Sequence, residues 1–214
     1  MKKLVIIGAG GFGREVKMLV DQINAVRPTY TFVGFYDDGK EVGTLVNGFP
    51  VLGNVADLNA VNEPLVVVLA LGNPVYKKNV VTMLTNPLLS FDTLIHPSVI
   101  IGNDAVSIGK GTVICAGNII TCNISIHDFV TLNLACTIGH DTILDNFVSL
   151  MPGVNVSGEV RLGEGVYVGT GAKIINQLEI GNNTTVGAGA VVSKALPANC
   201  TAVGIPAKPI KFHS

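Results

Sequence analysis

A six-residue period runs through the second half of the chain and constrains its fold more than any other feature. Every sixth residue from 108 to 192 is isoleucine, leucine or valine. If about a third of the residues in so apolar a chain are aliphatic, chance would give this run with a probability of about 10⁻⁷. The fifteen positions are Ile108, Ile114, Ile120, Ile126, Leu132, Ile138, Leu144, Leu150, Val156, Leu162, Val168, Ile174, Ile180, Val186 and Val192. Helices repeat every 3.6 residues and two-faced strands every two, so the period predicts another kind of repeat.

The residues around these positions indicate short strands joined by sharp corners. The residue two places earlier is often small or β-branched, as at Val130 and Cys136, and the residue after is often glycine, as at Gly139 and Gly163. We expect the aliphatic side chain to point into a core and the glycine to relieve backbone strain at the corner. The pattern resembles the hexapeptide-repeat family over about residues 97–193. That resemblance implies an all-β left-handed parallel β-helix with three strands per coil, in which residues eighteen apart are vertical neighbours about 4.8 Å apart.

Residues 1–94 follow a different pattern, in which apolar runs typical of strands alternate with a segment of helical spacing. The strands and then the helix are Lys3–Ile7, Tyr30–Tyr36, Leu65–Leu71 and Arg14–Ala25. This alternation predicts a small parallel sheet, a Rossmann-like α/β half domain. We therefore predict an N-terminal α/β domain over residues 1–94 and the β-helix over residues 95–214.

Composition excludes several classes of function. The formal charge of −1 leaves no basic field for nucleic acid or an anionic membrane. The longest apolar run, Leu65–Leu71, is far shorter than the roughly 20 residues that span a bilayer. The four cysteines show no C-x-x-C spacing and no zinc-ligand spacing with histidine, so we expect no structural metal and a cytoplasmic location.

The turn after the first strand carries the motif G-x-G-x-x-G at Gly8, Gly10 and Gly13. Between a strand and a helix, this motif lets phosphate oxygens approach the helix N-terminus. Asp37 follows at a distance that suits a ribose partner in a nicotinamide site. A domain of residues 1–94 holds only half of a dinucleotide fold, which favours part of a nucleotide over NAD. A purely structural glycine turn is the remaining interpretation.

His140 and Asp141 lie at a corner of the predicted β-helix that would otherwise hold residues without reactive side chains. Histidine is the natural general base near neutral pH, and an adjacent carboxylate holds its tautomer. Gly158 lies eighteen residues later and would leave backbone N–H accessible beside the imidazole. From spacing alone, His140 is equally well a solvated corner residue. His96, His127 and His213 favour structural or tail positions, and their spacing does not match the metal site of the γ-class carbonic anhydrases, which share the repeat.

The order of motifs resembles one subfamily, the bacterial acyltransferases that join a short nucleotide-binding domain to a left-handed β-helix. It includes nucleotide-amino-sugar N-acetyltransferases of the bacillosamine type and proteins labelled sialic acid O-acetyltransferases. The matching segments are 6–13 (IIGAGGFG), 35–38 (FYDD), 70–73 (ALGN), 94–97 (LIHP), 138–141 (IGHD) and 203–208 (VGIPAK).

The resemblance implies a cytoplasmic homotrimer that transfers an acetyl group directly from acetyl-CoA to the amino group of a nucleotide-linked sugar in surface-glycan biosynthesis. His140 would be the general base and Asp141 its support, although the bacillosamine-type pattern has Glu at that position. Acetyl-CoA would lie in a cleft between neighbouring prisms. The nucleotide sugar would contact Gly10, Gly11, Phe12, Asp37, Asp38, Gly72 and Asn133. Acetyl-CoA would contact Ser149, where the pattern has His, and Gly158, Thr170, Ala188 and Lys208.

Other functions remain open from the sequence. A sugar hydroxyl also needs base assistance, so O-acetylation would use the same His140. A nucleotide-sugar-binding scaffold would keep the β-helix without the chemistry. No motif in the sequence identifies the sugar or its nucleotide (UDP, dTDP or GDP).

Overall fold

The computed structural model describes residues 1–213 and divides into two compact units, Met1–Pro97 and a second that begins at Ser98. The first unit is an α/β sheet and the second is a three-sided parallel β-helix, which confirms the predicted fold class. Among the described residues, no helix combines the length and the apolar character needed to cross a membrane.

The first unit is built on one six-stranded sheet. Its elements are β1 (Lys2–Ile7), α1 (Gly11–Val26), β2 (Tyr30–Tyr36), β3 (Leu45–Val46), β4 (Phe49–Gly53), a 3₁₀ helix (Val55–Ala60), β5 (Leu65–Leu69), α2 (Pro74–Met83), β6 (Leu89–Ser90) and β7 (Leu94–Ile95). The strand order is β3-β4-β2-β1-β5-β6, and β1 pairs in parallel with both β2 and β5. Strand β1 is therefore central, and it is buried from Leu4 onward.

Helix α1 begins three residues earlier than predicted. The chain turns at Gly8, which has a φ of +96°, and Gly10 is the N-cap of the helix. The Arg14 N–H donates to the Gly10 carbonyl at 3.2 Å, so the second half of the predicted glycine turn is already helical. Strand β5 likewise ends at Leu69, before the predicted Leu71.

The second unit winds short strands into a three-sided prism. Its strands are β8 (Ile100–Ile101), β9 (Val106–Ile108), β10 (Val113–Ile114), β11 (Ile119–Ile120), β12 (Ile124–Ile126), β13 (Thr131–Leu132), β14 (Thr137–Ile138), β15 (Ile143–Leu144), β16 (Ser149–Leu150), β17 (Asn155–Val156), β18 (Arg161–Leu162), β19 (Tyr167–Val168), β20 (Lys173–Ile174), β21 (Glu179–Ile180), β22 (Thr185–Val186), β23 (Val191–Val192), β24 (Cys200–Gly204) and β25 (Ala207–Phe212). We call the face that holds β13, β16, β19 and β22 face 1, the face of β14, β17 and β20 face 2, and the face of β15, β18 and β21 face 3. Parallel pairs such as Thr131 with Ser149 and Thr137 with Asn155 join residues eighteen apart, as predicted.

The six-residue ladder forms the core of the prism. Of the fifteen aliphatic positions, Ile114 and all those after it are buried. Ile108 is partly exposed because β9 is the edge strand of face 3. The periodic positions therefore supply the continuous apolar interior that the sequence predicts.

The glycines that follow the aliphatic positions have a different purpose from the predicted one. A Cβ on Gly139 would lie 2.6 Å from the Gly158 nitrogen, and a Cβ on Gly169 would lie 2.5 Å from the Ala188 nitrogen. These glycines allow adjacent coils to stack closely. The left-handed backbone sits two residues further on, as at Asp141 with a φ of 56°. The prediction that the glycine directly after each aliphatic position relieves backbone strain is therefore wrong.

A lysine is buried in the first unit, on helix α2. Lys77 is 1% exposed, and burial lowers its pKa from 10.5 to about 7. Between these two pH values the unfolded chain binds a proton at this side chain and the folded chain does not. Raising the pH through this window therefore favours the folded state, at up to about 1.4 kcal/mol per pH unit.

We expect the free energy of unfolding to rise less with pH in the Lys77→Met variant than in the wild-type protein. Between pH 7 and pH 9 the rise in the variant should be smaller by about 2 kcal/mol, as measured by urea unfolding at each pH. The exposed neighbour Lys78 provides the control, because Lys78→Met should keep the wild-type pH dependence. Equal pH dependence in Lys77→Met and wild-type protein would contradict the assignment.

Candidate active site

His140 and Asp141 form a bonded pair at the corner between face 2 and face 3. The His140 Nδ1 lies 2.7 Å from the Asp141 Oδ2. An ionised carboxylate can only accept, so Nδ1 donates to it, and in a neutral imidazole the lone pair then lies on Nε2. The His140 side chain is 55% exposed. The imidazole ring is therefore accessible from outside the prism.

Asp141 reaches the imidazole in spite of its short side chain. Its backbone N–H donates to the Cys122 carbonyl at 3.2 Å, and its left-handed conformation continues directly from His140. Asn123 donates from Nδ2 to Asp141 Oδ1 at 3.1 Å. The hydrogen bond with His140, and then that from Asn123, hold the pKa of Asp141 below its usual range. The carboxylate is therefore ionised at neutral pH and suited to hold the imidazole tautomer.

Gly158 lies against the His140 ring from the next coil. A Cβ at this position would be 2.5 Å from both Cε1 and Nε2 of His140. Real Cβ atoms do not approach ring atoms so closely, so any larger residue would displace the imidazole. The pairing of His140 with Gly158 follows the predicted eighteen-residue spacing.

A second group of predicted site residues lies on the opposite side of face 2. Asn133, Thr170 and Ala188 follow strands of face 1, so they occupy the corner between face 1 and face 2. Thr170 and Ala188 are exposed, whereas Asn133 is 7% exposed and accepts from the Leu134 N–H at 2.7 Å. The width of face 2 separates this group from His140 within one chain.

Two further predicted contacts to acetyl-CoA lie apart from both corners. Ser149 belongs to β16 on face 1 and is fully buried, and its Oγ has no hydrogen-bond partner among residues 1–213. A direct contact with a ligand would require the surrounding side chains to move. Lys208 is exposed on β25, which pairs antiparallel with β24 through the turn that contains the cis Ile205–Pro206 bond.

The glycines of the turn after β1 are of two kinds: some are packed against the backbone, and others have free space around them. A Cβ on Gly13 would lie 1.9 Å from the Gly8 carbonyl oxygen, so this position is glycine for packing. A Cβ on Gly10 would meet no heavy atom of the described chain within 4 Å, and one on Gly11 would meet only a side-chain nitrogen of Arg14 at 4.0 Å. Packing within this chain therefore does not explain Gly10 and Gly11, and they leave backbone accessible at the start of α1.

Asp37 and Asp38 hold the loops beside that turn. Asp37 accepts from the Ala9 N–H at 2.6 Å and from the Gly39 N–H at 2.9 Å, and Asp38 accepts from the Val55 N–H at 2.8 Å. Both carboxylates are thus part of the loop architecture as well as candidate ligand contacts. They line a cavity of about 220 Å³.

This cavity is mostly apolar and lies at the carboxyl ends of β1 and β2. It is lined by Ile7, Gly8, Tyr36, Asp37, Asp38, Gly39, Val55, Leu71, Tyr76 and Val80. A cleft outside the carboxyl ends of parallel strands is the usual ligand position in open α/β sheets. Phe12 and Gly72 are partly exposed on adjacent segments and do not line it.

His127 and His213 each contact a side chain distant in sequence. His127 Nδ1 lies 3.5 Å from Asp145 Oδ1, and Asp145 also binds Arg161, so His127 does not pair with the adjacent Asp128. His213 Nε2 lies 3.0 Å from Thr201 Oγ1. Across residues 1–213, no group of three or more histidine, cysteine, aspartate or glutamate side chains is placed to hold a metal ion.

Several residues of these sites were not predicted from the sequence. Asn123 lies eighteen residues before Asp141, so the coil length alone would have identified it as a vertical neighbour. Val55 and Tyr76 line the cavity of the first unit, but no motif places them there, because they come from separate segments that meet only in the folded sheet.

Comparison with known proteins links the two units to characterised enzymes. Residues 3–84 match the family described as the PglD N-terminal domain, and residues 159–194 match the bacterial transferase hexapeptide family. GDP-perosamine N-acetyltransferase of Escherichia coli O157:H7 is 32% identical over 156 residues, which cover 72% of this chain and 70% of that protein.

Solved structures extend the likeness to nearly the full length. The acetyltransferase domain of PglB from Neisseria gonorrhoeae FA1090, in complex with acetyl coenzyme A, has a TM-score of 0.88 and 35% identity, covering 98% of this chain and 99% of that one. PerB from Caulobacter crescentus, in complex with CoA and GDP-perosamine, has a TM-score of 0.86 and 30% identity, covering 99% and 98%. The chain is therefore an acyltransferase, and it belongs to the hexapeptide-repeat sugar N-acetyltransferases that carry a PglD-type N-terminal domain.

Proposed function

We propose that the protein transfers an acetyl group from acetyl-CoA to the amino group of a nucleotide-activated amino sugar, with His140 as the general base. The observation that carries the proposal is the His140–Asp141 pair, which leaves Nε2 as the basic nitrogen on an exposed ring. The names of the relatives support the substrate class, since they include a GDP-perosamine and a UDP-N-acetylbacillosamine N-acetyltransferase. Surface-glycan biosynthesis is the pathway that such a product would enter.

The reaction needs only two substrates and this base. The sugar amine attacks the thioester carbonyl carbon with its lone pair, and His140 Nε2 takes the proton that the nitrogen must lose. The tetrahedral intermediate collapses as the carbon–sulfur bond breaks, and the imidazolium returns the proton to the departing CoA thiolate. Asp141 stabilises the imidazolium charge during these steps through its hydrogen bond to Nδ1. Direct transfer of this kind forms no covalent enzyme intermediate.

We assign recognition of the nucleotide to the first unit. Gly10 and Gly11 offer accessible backbone at the start of α1, where phosphate oxygens are favoured by the helix dipole. Asp37 and Asp38, with Phe12 and Gly72 beside them, complete the proposed nucleotide contacts. The cavity of the first unit is the candidate position of the nucleoside.

We assign acetyl-CoA to Gly158, Thr170, Ala188, Ser149 and Lys208, and the sugar contact to Asn133. Because Thr170 and Ala188 lie across face 2 from His140, we infer that a second copy of the chain brings the two groups together. This separation supports the proposed homotrimer. Sedimentation should give a mass three times 22.3 kDa, and a monomer at micromolar concentration would contradict a site between subunits.

The cysteines support a cytoplasmic location for this reaction. Within residues 1–213, no disulfide joins any of Cys115, Cys122, Cys136 and Cys200. Disulfides form in oxidising compartments and are rare in the reducing cytosol, so free cysteines favour a reducing compartment. We therefore place the enzyme in the cytoplasm.

The acceptor is tested with purified protein, acetyl-CoA and sugar nucleotides linked to GDP, UDP or dTDP. Each nucleotide is supplied with a 4-amino sugar and with the matching hydroxyl sugar, and release of CoA thiol is followed together with the product mass. We expect turnover and a gain of one acetyl group on an amino acceptor. Turnover on hydroxyl acceptors alone would establish O-acetylation, and nucleotide binding without any turnover would favour a scaffold.

A further inference from the structure

Four of the left-handed corner positions between face 2 and face 3 form a polar ladder up the prism, above the left-handed Ala105 of the same column. Asn123, Asp141, Glu159 and Gln177 lie eighteen residues apart and have φ values of 55°, 56°, 58° and 60°. Neighbouring members pair through their side chains: Asn123 Nδ2 donates to Asp141 Oδ1 at 3.1 Å, and Gln177 Nε2 donates to Glu159 Oε2 at 3.2 Å. One corner thus holds two amide–carboxylate pairs. The lower pair contacts the His140 ring through the Asp141 carboxylate, whereas the upper pair contacts His140 through the backbone N–H of Glu159, which donates to the His140 carbonyl at 2.8 Å.

The lower pair differs from the upper pair because its carboxylate has a second partner. Asp141 uses Oδ2 for His140 and Oδ1 for Asn123, so each oxygen has its own donor. Because an ionised carboxylate only accepts, the Asn123 amide must present its NH₂ group to it. Two donors on two oxygens fix the plane of the carboxylate and not only its position.

Asp141 needs this second anchor because it lies at the surface. Its side chain is 49% exposed, so water competes for both oxygens. A carboxylate held by one hydrogen bond can rotate toward solvent and release Nδ1. Asn123 is itself held to the coil below, since its backbone N–H donates to the Asp104 carbonyl at 2.9 Å. The Asn123 amide therefore gives Asp141 Oδ1 a donor that belongs to the chain rather than to the solvent.

We propose that Asn123 is a positioning residue that holds Asp141 and, through it, keeps the His140 proton on Nδ1 and the lone pair on Nε2. This inference rests on the proposed function of His140. Asn123 does not touch the reacting atoms in this proposal. It compensates for an aspartate in place of a longer side chain by anchoring the far oxygen.

The test compares matched substitutions at the two amides of the ladder. Asn123→Gly and Gln177→Gly both remove the side-chain amide, and glycine adopts the left-handed backbone conformation without strain. Asn123→Asp and Gln177→Glu both replace the amide by a carboxylate that faces another carboxylate. The ladder thus supplies controls with the same corner geometry, at coils above the candidate site.

We expect kcat of Asn123→Gly to fall about tenfold, which corresponds to about 1.4 kcal/mol, with KM for both substrates unchanged. Asn123→Asp should reduce kcat further, because like charges repel across the pair. In uniformly ¹⁵N-labelled protein, the His140 imidazole shifts should report a smaller fraction of the Nδ1-protonated tautomer. Gln177→Gly and Gln177→Glu should keep kcat within about twofold of wild type.

Several results would overturn the inference. Wild-type kcat in both Asn123 variants would do so, as would equal losses in the matched Gln177 variants, which would indicate general weakening of the corner. A loss of kcat with an unchanged tautomer would also exclude positioning through Asp141. His140→Ala separates the two proposals: if that variant remains active the proposed function fails, and if it is inactive while Asn123→Gly is not, only the present inference fails.

Discussion

His140→Ala should lose about 10²- to 10⁴-fold in kcat for acetyl transfer while retaining its fold. The variant removes the imidazole that accepts the amine proton, and the exposed ring contributes little to the core. The measurement is CoA release under saturating acetyl-CoA and amino-sugar nucleotide. Melting temperature should stay close to that of the wild-type protein.

His127→Ala is the matched control for that experiment. His127 is also a half-exposed corner histidine near a carboxylate, but its Nδ1 lies 3.5 Å from an Asp145 that already binds Arg161. The activity of the His127→Ala variant should remain near the wild-type value. If His140→Ala keeps full activity, or if both histidine variants lose the same amount, the base must be sought elsewhere.

Gly158→Ala should reduce kcat by about 10²-fold. The new Cβ would meet Nε2 and Cε1 of His140 at 2.5 Å, so the ring must rotate away and give up its 2.7 Å bond to Asp141. A misplacement of about 1 Å in a catalytic group costs activity of this order. The φ of Gly158 lies outside the left-handed region, so the backbone itself accepts alanine.

A double-variant comparison isolates the clash from other effects. Gly158→Ala should lower the melting temperature when His140 is present and have little effect in a His140→Ala background, where the ring is absent. Non-additivity of this kind is expected for residues in contact. Equal shifts in both backgrounds, or unchanged kcat in the single variant, would show that the methyl group does not disturb the imidazole.

Most of the fold could be predicted from the sequence because it depends on a repeated local rule. Each coil places its aliphatic residues in the same backbone environment, so one period identifies the strands and the core. The resemblance to the hexapeptide-repeat family adds the eighteen-residue coil and therefore the vertical neighbours. That arithmetic correctly placed Gly158 beside His140. The repeat spacing did not show why a given position is glycine, because close stacking of the coils and a left-handed backbone both favour that residue.

The first unit was less predictable at its element ends. The Arg14 N–H donates to the carbonyl of the N-cap Gly10 and so belongs to the first turn of α1, but propensity alone does not favour a helix that begins at Gly11. Lys77 gave no sign of burial, since lysine on a helix is normally exposed. The packing of α2 in the folded unit overrides that preference.

The sequence by itself determined the two-part architecture and the core positions of the repeat, because a strict period is a local property that does not depend on side-chain orientation. Its resemblance to the hexapeptide-repeat family implied the three-sided prism and the coil that carries His140. Only the tertiary structure decided that Asp141 reaches the imidazole, that Asn123 anchors its second oxygen, and that Thr170 and Ala188 lie across a face from the base. The physical reason is that these relations depend on rotamers, corner geometry and contacts between distant segments, which take their values only when the coils are stacked.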